Sequence, residues 1–488
     1  MSVSRNTTYN LVGAVIPLGL SLLTVPIYLS LVGPERYGVL AIAWLLLGYF
    51  GMFDLGLGRA TSFRIASLRD ALPLARADTF WAALTVNVCI GVLGGALLLA
   101  AGSYFFGHVF KVAEQLRPEI VASVPLLACA VPIATLTGVL TGAMQGREKF
   151  LETNVVSLIS TTLFQLLPLA VAYWVGPNLS LLLAAAIFAR VVAILVLGFR
   201  CYVEFCKGLV RRLNRAEIAP LLKYGMWVNL TSLLGPLLFM VDRFAIGAVL
   251  GAVAVTIYTV PFQLAQRIQI LPGALTTALF PRLSSSAPEV QKELAGMASR
   301  TLAALMSVPV LGAIFLIEPF LRLWVGESVG MQSGPVGRIV LIGFWVNSLA
   351  QISFVRLQAS GRPSLVTKAL LVEIPIYNIA LFLVLGRFGF IGCAILFTIR
   401  CTIDYLILTW LADRRIPGWR MLFVTLGMLS LGALAADRWE ITDWRWWASA
   451  IVIGAGLLVT GWIAMPADVM SRLRALPIIR SVGRFLPS

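Results

Sequence analysis

The sequence predicts an all-α polytopic membrane protein of about fourteen transmembrane helices, arranged as two six-helix lobes with two extra C-terminal helices. Three observations carry that expectation. Hydrophobic residues make up 59% and charged residues 12% of 488, with mean hydropathy +0.91, too little polar surface to cover a soluble core of this size. Apolar runs of about 20 residues, the length that crosses a bilayer, recur along the whole chain between Gly, Pro and charged punctuation. Lysines and arginines crowd onto alternate connections, as the positive-inside rule requires.

The first run, 9–32, follows Arg5 and ends in GPERYG, with no small-residue cleavage site, so it reads as a retained first helix. The others are 37–63, 79–106, 119–145, 154–176, 179–202, 220–248, 254–283, 298–317, 335–358, 364–386, 390–411, 420–436 and 444–465. An even number puts both termini on one side. That side holds about twenty basic residues, among them Arg64, Arg69, Arg147, Lys149, Arg211 and Arg215, and the other about seven, so both termini are expected in the cytoplasm. Trp439, Trp444, Trp446 and Trp447 then form an outer aromatic belt. The largest outer connections, near Gly107–Pro118 and Glu318–Gly334, leave no room for an extramembrane catalytic domain.

The basic segment 203–219 divides an N-lobe, 1–202, from a C-lobe, 220–411, followed by helices 13 and 14 within 412–465 and a basic cytoplasmic tail, 466–488. A weak repeat agrees. LSLVGPERYGVLA and IGAVLGAVAVTIYT both run from helix end through a glycine turn, with Gly33 and Gly251 in corresponding places, and Arg190 in helix 6 corresponds to Arg400 in helix 12. Prolines including Pro17, Pro132, Pro261, Pro272 and Pro375 interrupt helices, as expected where segments bend between two open states. The tail, cut by Pro477, either lies on anionic lipid or is simply solvated.

Enzyme chemistry finds little support. His108 is the one histidine, so neither a His-based triad nor a His metal cluster can be built, and no GxxxxGKS/T phosphate loop occurs. The six cysteines have no knuckle or CxxC spacing and read as small buried hydrophobes. The formal charge of +16 is spread over short connections, which excludes a nucleic-acid face. Neither cofactor nor metal is implied, and transport is the default.

Charge inside the membrane is then the informative signal. Between Ala254 and Leu283, Thr256, Thr259, Gln263, Gln266 and Arg267 step by three and four and share one helical face. Arg267, Arg190 and Arg400 fall near the midplane; Asp54, Arg59, Arg300 and Arg356 lie nearer the cytoplasm, and Asp242 and Arg243 near the outer interface. Embedded arginines outnumber the carboxylates Asp54, Asp242, Glu373 and Asp404, so a cavity they lined would favour an anion. Each has a plainer reading as well. Arg400 and Asp404, four apart, can neutralise each other; Arg190 can pair within its lobe; Arg243 can anchor or latch; Arg59, Arg300 and Arg356 can snorkel. The polar stripes of helix 5 (Asn154, Ser157, Thr161, Gln165) and helix 10 (Asn347, Gln351, Gln358) either bond between helices or face a sugar.

The chain resembles the polysaccharide-transporter branch of the multidrug/oligosaccharidyl-lipid/polysaccharide exporter superfamily, the O-antigen (Wzx-type) and exopolysaccharide flippases. The resemblance rests on the order of PIYLSLVGPERYGVLAI, FDLGLGRATSFRIA, TGAMQGREKF, KYGMWVNLTSLLGPLLFMVDRFAIGAVLGAVAVTIYTVPFQLAQRI and LPGALTTALFPRLS, and it covers essentially the whole chain. It implies a multi-pass inner-membrane protein whose cavity is lined by helices 1, 2, 7 and 8. An oligosaccharide on undecaprenyl pyrophosphate would cross to the outer leaflet there by alternating access. Matching positions are Arg59 and Asp54, Arg243 and Arg267. On this reading Arg267 holds the pyrophosphate with Arg59 on the entry side, the threonines, glutamines and Trp227 face the sugars, and Asp54 serves ion coupling. Implied partners are the lipid-linked oligosaccharide, membrane lipids and polysaccharide polymerase or assembly proteins, with the transporter itself a monomer. The alternatives are an ion-coupled multidrug antiporter of the same superfamily and a lipid II flippase; the latter carries arginines inside helix 1, where this chain has none between Arg5 and Arg36.

Overall fold

In a computed structural model, residues 3–68, 73–206, 218, 238, 240–413 and 419–465 are described. They form an all-α polytopic membrane protein with no strand among the described residues. Among the described residues ten helices are long and apolar enough to cross a bilayer, and their outer faces carry exposed large apolar side chains such as Leu97, Val372 and Ile463, the surface lipid covers. The chain separates into two compact units, Met1–Thr256 and Ile257–Ser488. Most of the expected divider 203–219 lies outside the described residues, as do Trp227 and the tail 466–488.

The first unit opens with α1, Val3–Tyr49, which is broken at Gly33 by a left-handed φ of 76°. A straight helix would hold Tyr28 and Trp44 about 24 Å apart at about 1.5 Å per residue, yet their rings meet at 4.9 Å. The chain therefore doubles back at Gly33, where a Cβ would be strained. The expected continuous helix 37–63 is interrupted. A 3-10 turn, Phe50–Asp54, leads into left-handed Leu55 (φ 51°) and Gly56 (φ 74°) before α2 starts, Leu57–Ser67. The cause is Asp54, whose carboxylate accepts hydrogen bonds from Gly56 N–H (2.8 Å) and Gly58 N–H (3.0 Å), holding helix-start donors in the manner of an N-cap.

Next come α3, Pro73–Tyr104, α4, Arg117–Gly146, α5, Phe150–Trp174, and α6, Leu179–Cys201, the last capped by the Asn178 side chain. The approach of α2 to α4 is set by missing side chains. A Cβ on Gly142 would lie 2.0 Å from Gly58 O, and one on Gly146 2.8 Å from Ser62 O. Residues 240–249 form α7, and α8 is Ala252–Gln266. The end of α7 is tied to the loop before α4: Lys111 N–H donates to Gly247 O at 3.1 Å and Ala252 N–H to Lys111 O at 3.2 Å.

In the second unit the expected helix 254–283 is also broken. A 3-10 turn, Arg267–Gln269, separates α8 from α9, Ile270–Ser284, because Pro272 has no N–H to donate and its ring opposes the carbonyl four residues earlier. The expected outer connection Glu318–Gly334 is helical instead. Here α10, Pro288–Val325, meets α11, Glu327–Ala359, across Gly326 alone (φ 94°). The polar residues of that stretch are absorbed by ion pairs. Arg322 meets Glu318 at 2.6 Å and Glu327 at 3.4 Å, while buried Arg338 bonds both Glu318 and Asp437. The helix α12, Pro363–Asp413, breaks at Gly389 (φ 60°). Arg400 Nε lies 2.7 Å from Glu373 Oε1, where a straight helix would place them about 40 Å apart, so two antiparallel segments result. Phe262, Phe344 and Phe397 form an edge-to-face core at 5.0–5.1 Å, and α13, Trp419–Arg438, and α14, Trp444–Ala464, complete the unit.

Replacing Gly142 by Val forces α2 off α4 and is expected to destabilise the protein by about 1–3 kcal/mol. Thermal unfolding of the purified protein reads this as a lower midpoint, while Gly198→Ala, with open space around the residue, leaves the midpoint unchanged.

Candidate functional site

The turn at Asp54 does more than start a helix. It sets Arg59 at the rim of a 570 Å³ cleft in the first unit, lined on one side by Gly51, Asp54, Arg59 and Ser62 and on the other by Thr137, Thr141 and Gln145 of α4. Arg190 of α6 closes the cleft. Its guanidinium lies 4.8 Å from the centroid of the Phe164 ring, a cation–π contact that keeps a charge at depth without a carboxylate. Arg190 Nε is buried and makes no hydrogen bond with the described residues. Asp54 lies in electrostatic reach of Arg59, but both its oxygens already accept backbone N–H groups. The cleft therefore presents two guanidiniums against one engaged carboxylate, with hydroxyls and an amide beside them. Such a surface suits an anion that also offers hydroxyl groups.

The structure brings Asp54, Arg59 and Arg190 together and sorts the other expected residues elsewhere. The stripe on α8 does not face one cavity. Thr256 is fully buried, its hydroxyl donating to Pro34 O at 2.6 Å, and Thr259 is buried as well. The reason is Gly38: a Cβ there would lie 2.0 Å from Ala252 O, so the bare backbone lets α8 settle against α1. Gln263 is half-buried, while Gln266 and Arg267 are exposed. Arg400 is 6% exposed and is held by Glu373 of the other α12 segment, so its charge is taken up by a carboxylate of the protein itself. Arg243 and Asp242 are both buried. Arg300 lines a separate 430 Å³ cleft of the second unit, and Arg356 pairs with Asp413 at 2.5 Å. Two polar stripes bond within and between helices: Thr161 donates to Ser157 O at 2.8 Å, and Gln351 Nε2 donates to Gln269 Oε1 at 2.6 Å.

Thr137, Thr141 and Gln145 escaped the reading of the sequence, although their signal is local. In TGVLTGAMQG a polar residue and a glycine recur together every four residues, so one row packs on α2 while the adjacent row faces the cleft. Arg338 has no such signal, because its partners Glu318 and Asp437 are 20 and 99 residues away.

The sequence profile of a family described as polysaccharide biosynthesis protein matches residues 3–287, more than half of the chain. The chain belongs to the polysaccharide biosynthesis protein family. A Shigella flexneri protein that carries the provisional name of O-antigen transporter is 29% identical over 422 residues, 85% of this chain and 98% of its own length. Two solved structures share the fold. The lipid II flippase MurJ in an inward closed conformation is 14% identical, with TM-score 0.72, over 95% of this chain and 100% of that one. An outward-facing multidrug resistance MATE family transporter of the MOP superfamily is 14% identical, with TM-score 0.56, over 86% and 95%. The polysaccharide biosynthesis protein described here is thus a multi-pass membrane protein with the fold of these two structures.

In this family member, Asp54→Ala removes the acceptor of two buried N–H groups and is expected to cost about 1–3 kcal/mol. Asp54→Asn, which keeps one oxygen, costs less. The thermal unfolding midpoints of the two purified variants check the order.

Proposed function

We propose that the protein flips an undecaprenyl pyrophosphate-linked oligosaccharide from the cytoplasmic to the outer leaflet of the inner membrane, by alternating access, for O-antigen or exopolysaccharide synthesis. The observation that carries this reading is Arg190, half-buried against Phe164 with no ion pair among the described residues and lining the same cleft as Arg59. A guanidinium kept at that depth without a carboxylate is costly, and a pyrophosphate that accepts from Arg190, with Arg59 at the rim, would offset the cost. Thr137, Thr141 and Gln145 are placed to bond sugar hydroxyls. The prenyl chain remains in lipid. The relative's name and the family description support the substrate class. A multidrug antiporter would instead need a cleft with surplus carboxylate for cations, which is the opposite of the balance seen here. Both termini lie in the cytoplasm on this reading.

In proteoliposomes containing a lipid-pyrophosphate oligosaccharide, Arg190→Ala and Arg59→Ala are each expected to slow flipping on the order of tenfold or more, because a charge-assisted hydrogen bond contributes about 1.5–3 kcal/mol. Arg190→Lys restores part of the rate. Unchanged flipping in both alanine variants would remove the anion assignment, and cation efflux with intact surface polysaccharide in a deletion strain would remove the flippase reading.

A further inference from the structure

The fold-back at Gly389 assembles a second ionisable group away from the arginine cleft. Glu373 comes from the first segment of α12, and Arg400 and Asp404 from the second; all three are at least nine-tenths buried. Arg400 Nε bonds Glu373 Oε1 at 2.7 Å and stacks its guanidinium 5.7 Å from the Tyr377 ring centroid. Asp404, one helical turn beyond Arg400, lies in electrostatic reach of both partners but accepts no hydrogen bond from any described residue. Fully ionised, the cluster holds two carboxylates against one guanidinium. That leaves one uncompensated negative charge at membrane depth, a state that proteins avoid by neutralising the group.

The groups around the cluster do not supply the missing positive charge. Lys368 sits at the exposed rim of the 570 Å³ cavity that Glu373 and Arg400 line, and it makes no ion pair with the described residues. On the same helix, Tyr405 bonds Ser299 and Thr409, and Cys401 is buried. From α11, Arg356 is committed to Asp413 and Arg338 to Glu318 and Asp437. A metal cation would need several convergent donors, and no three His, Cys, Asp or Glu side chains converge among the described residues. A proton needs one.

We propose that Glu373, Arg400 and Asp404 form a proton-binding site in the second unit. One carboxylate, with Asp404 as the first acceptor, takes a proton from water to become a neutral acid when the site opens and returns it to water at a later opening. Asp54 is unsuited to this role because both its oxygens hold backbone N–H groups. Coupling of that proton to transport rests on the flippase reading; proton binding itself does not.

Infrared difference spectra of the full chain in lipid nanodiscs, stepped from alkaline to acidic buffer, test the site. A protonated-carboxyl band is expected that shifts in heavy water, is lost in Asp404→Asn, is altered in Glu373→Gln and survives in Asp54→Asn. Asparagine resembles the protonated acid, so the fold should persist; Glu373→Gln gives an independent reading if it does not. A band that is missing from the unmutated protein, or unchanged in both cluster variants, overturns the proposal. So does a band that disappears when sodium replaces potassium at fixed pH, which would mark a metal site. In proteoliposomes, acceleration of flipping by an imposed proton gradient should be lost in Asp404→Asn. If the unmutated protein does not flip the lipid at all, the flippase reading fails while the infrared result still decides the proton site.

Discussion

The first unit depends on two hydrogen bonds from Gly56 and Gly58 to the Asp54 carboxylate. They hold a left-handed turn that a continuous helix would not make, and they restart the chain as α2 at a new angle. Because Gly58 and Gly142 have no side chains, α2 then touches α4 closely: a Cβ on Gly58 would meet Gly138 O and one on Gly142 would meet Gly58 O. Arg59 follows directly, and the Thr137–Thr141–Gln145 row of α4 faces the same space. One carboxylate thus determines where a helix begins, how closely it packs and where a guanidinium stands.

Arg190 of the first unit and the buried arginines of the second are held differently. In the second, Arg338, Arg356 and Arg400 each meet a carboxylate. These pairs lower the cost of keeping charge in hydrocarbon and join segments that the chain separates widely. In the first, Arg190 rests on an aromatic face. A cation–π contact holds a guanidinium in place without neutralising it, so its charge stays available to an incoming anion. The contrast between paired and stacked arginines separates structural charge from charge that can meet a substrate.

Several breaks were legible in the sequence for reasons local to the residues. Gly33 and Gly389 both adopt positive φ, and Pro272, in the first turn of α9, cannot donate a hydrogen bond back across the 3-10 turn. The interruption at Asp54 was hidden, because hydrophobic periodicity runs through it and only the carboxylate's reach to two N–H groups shows why the helix cannot continue. The helical course of Glu318–Gly334 was hidden for the converse reason. Its charged residues look like a loop until Arg322, Glu318, Glu327 and Arg338 are seen to satisfy one another.

The sequence by itself determined the class: an all-α chain threaded repeatedly through a membrane, with embedded arginines in excess of carboxylates. Those properties are sums over neighbouring residues, so hydropathy and composition carry them. Which arginine would meet an acid was decided only by the tertiary structure, because Arg400 and Glu373 stand 27 residues apart and Arg338 and Asp437 stand 99 apart. The sequence pattern pairs Arg400 with Arg190, yet one meets a carboxylate and the other does not among the described residues. That difference arises from the neighbouring segment each arginine packs against, a carboxylate in one case and a phenyl ring in the other.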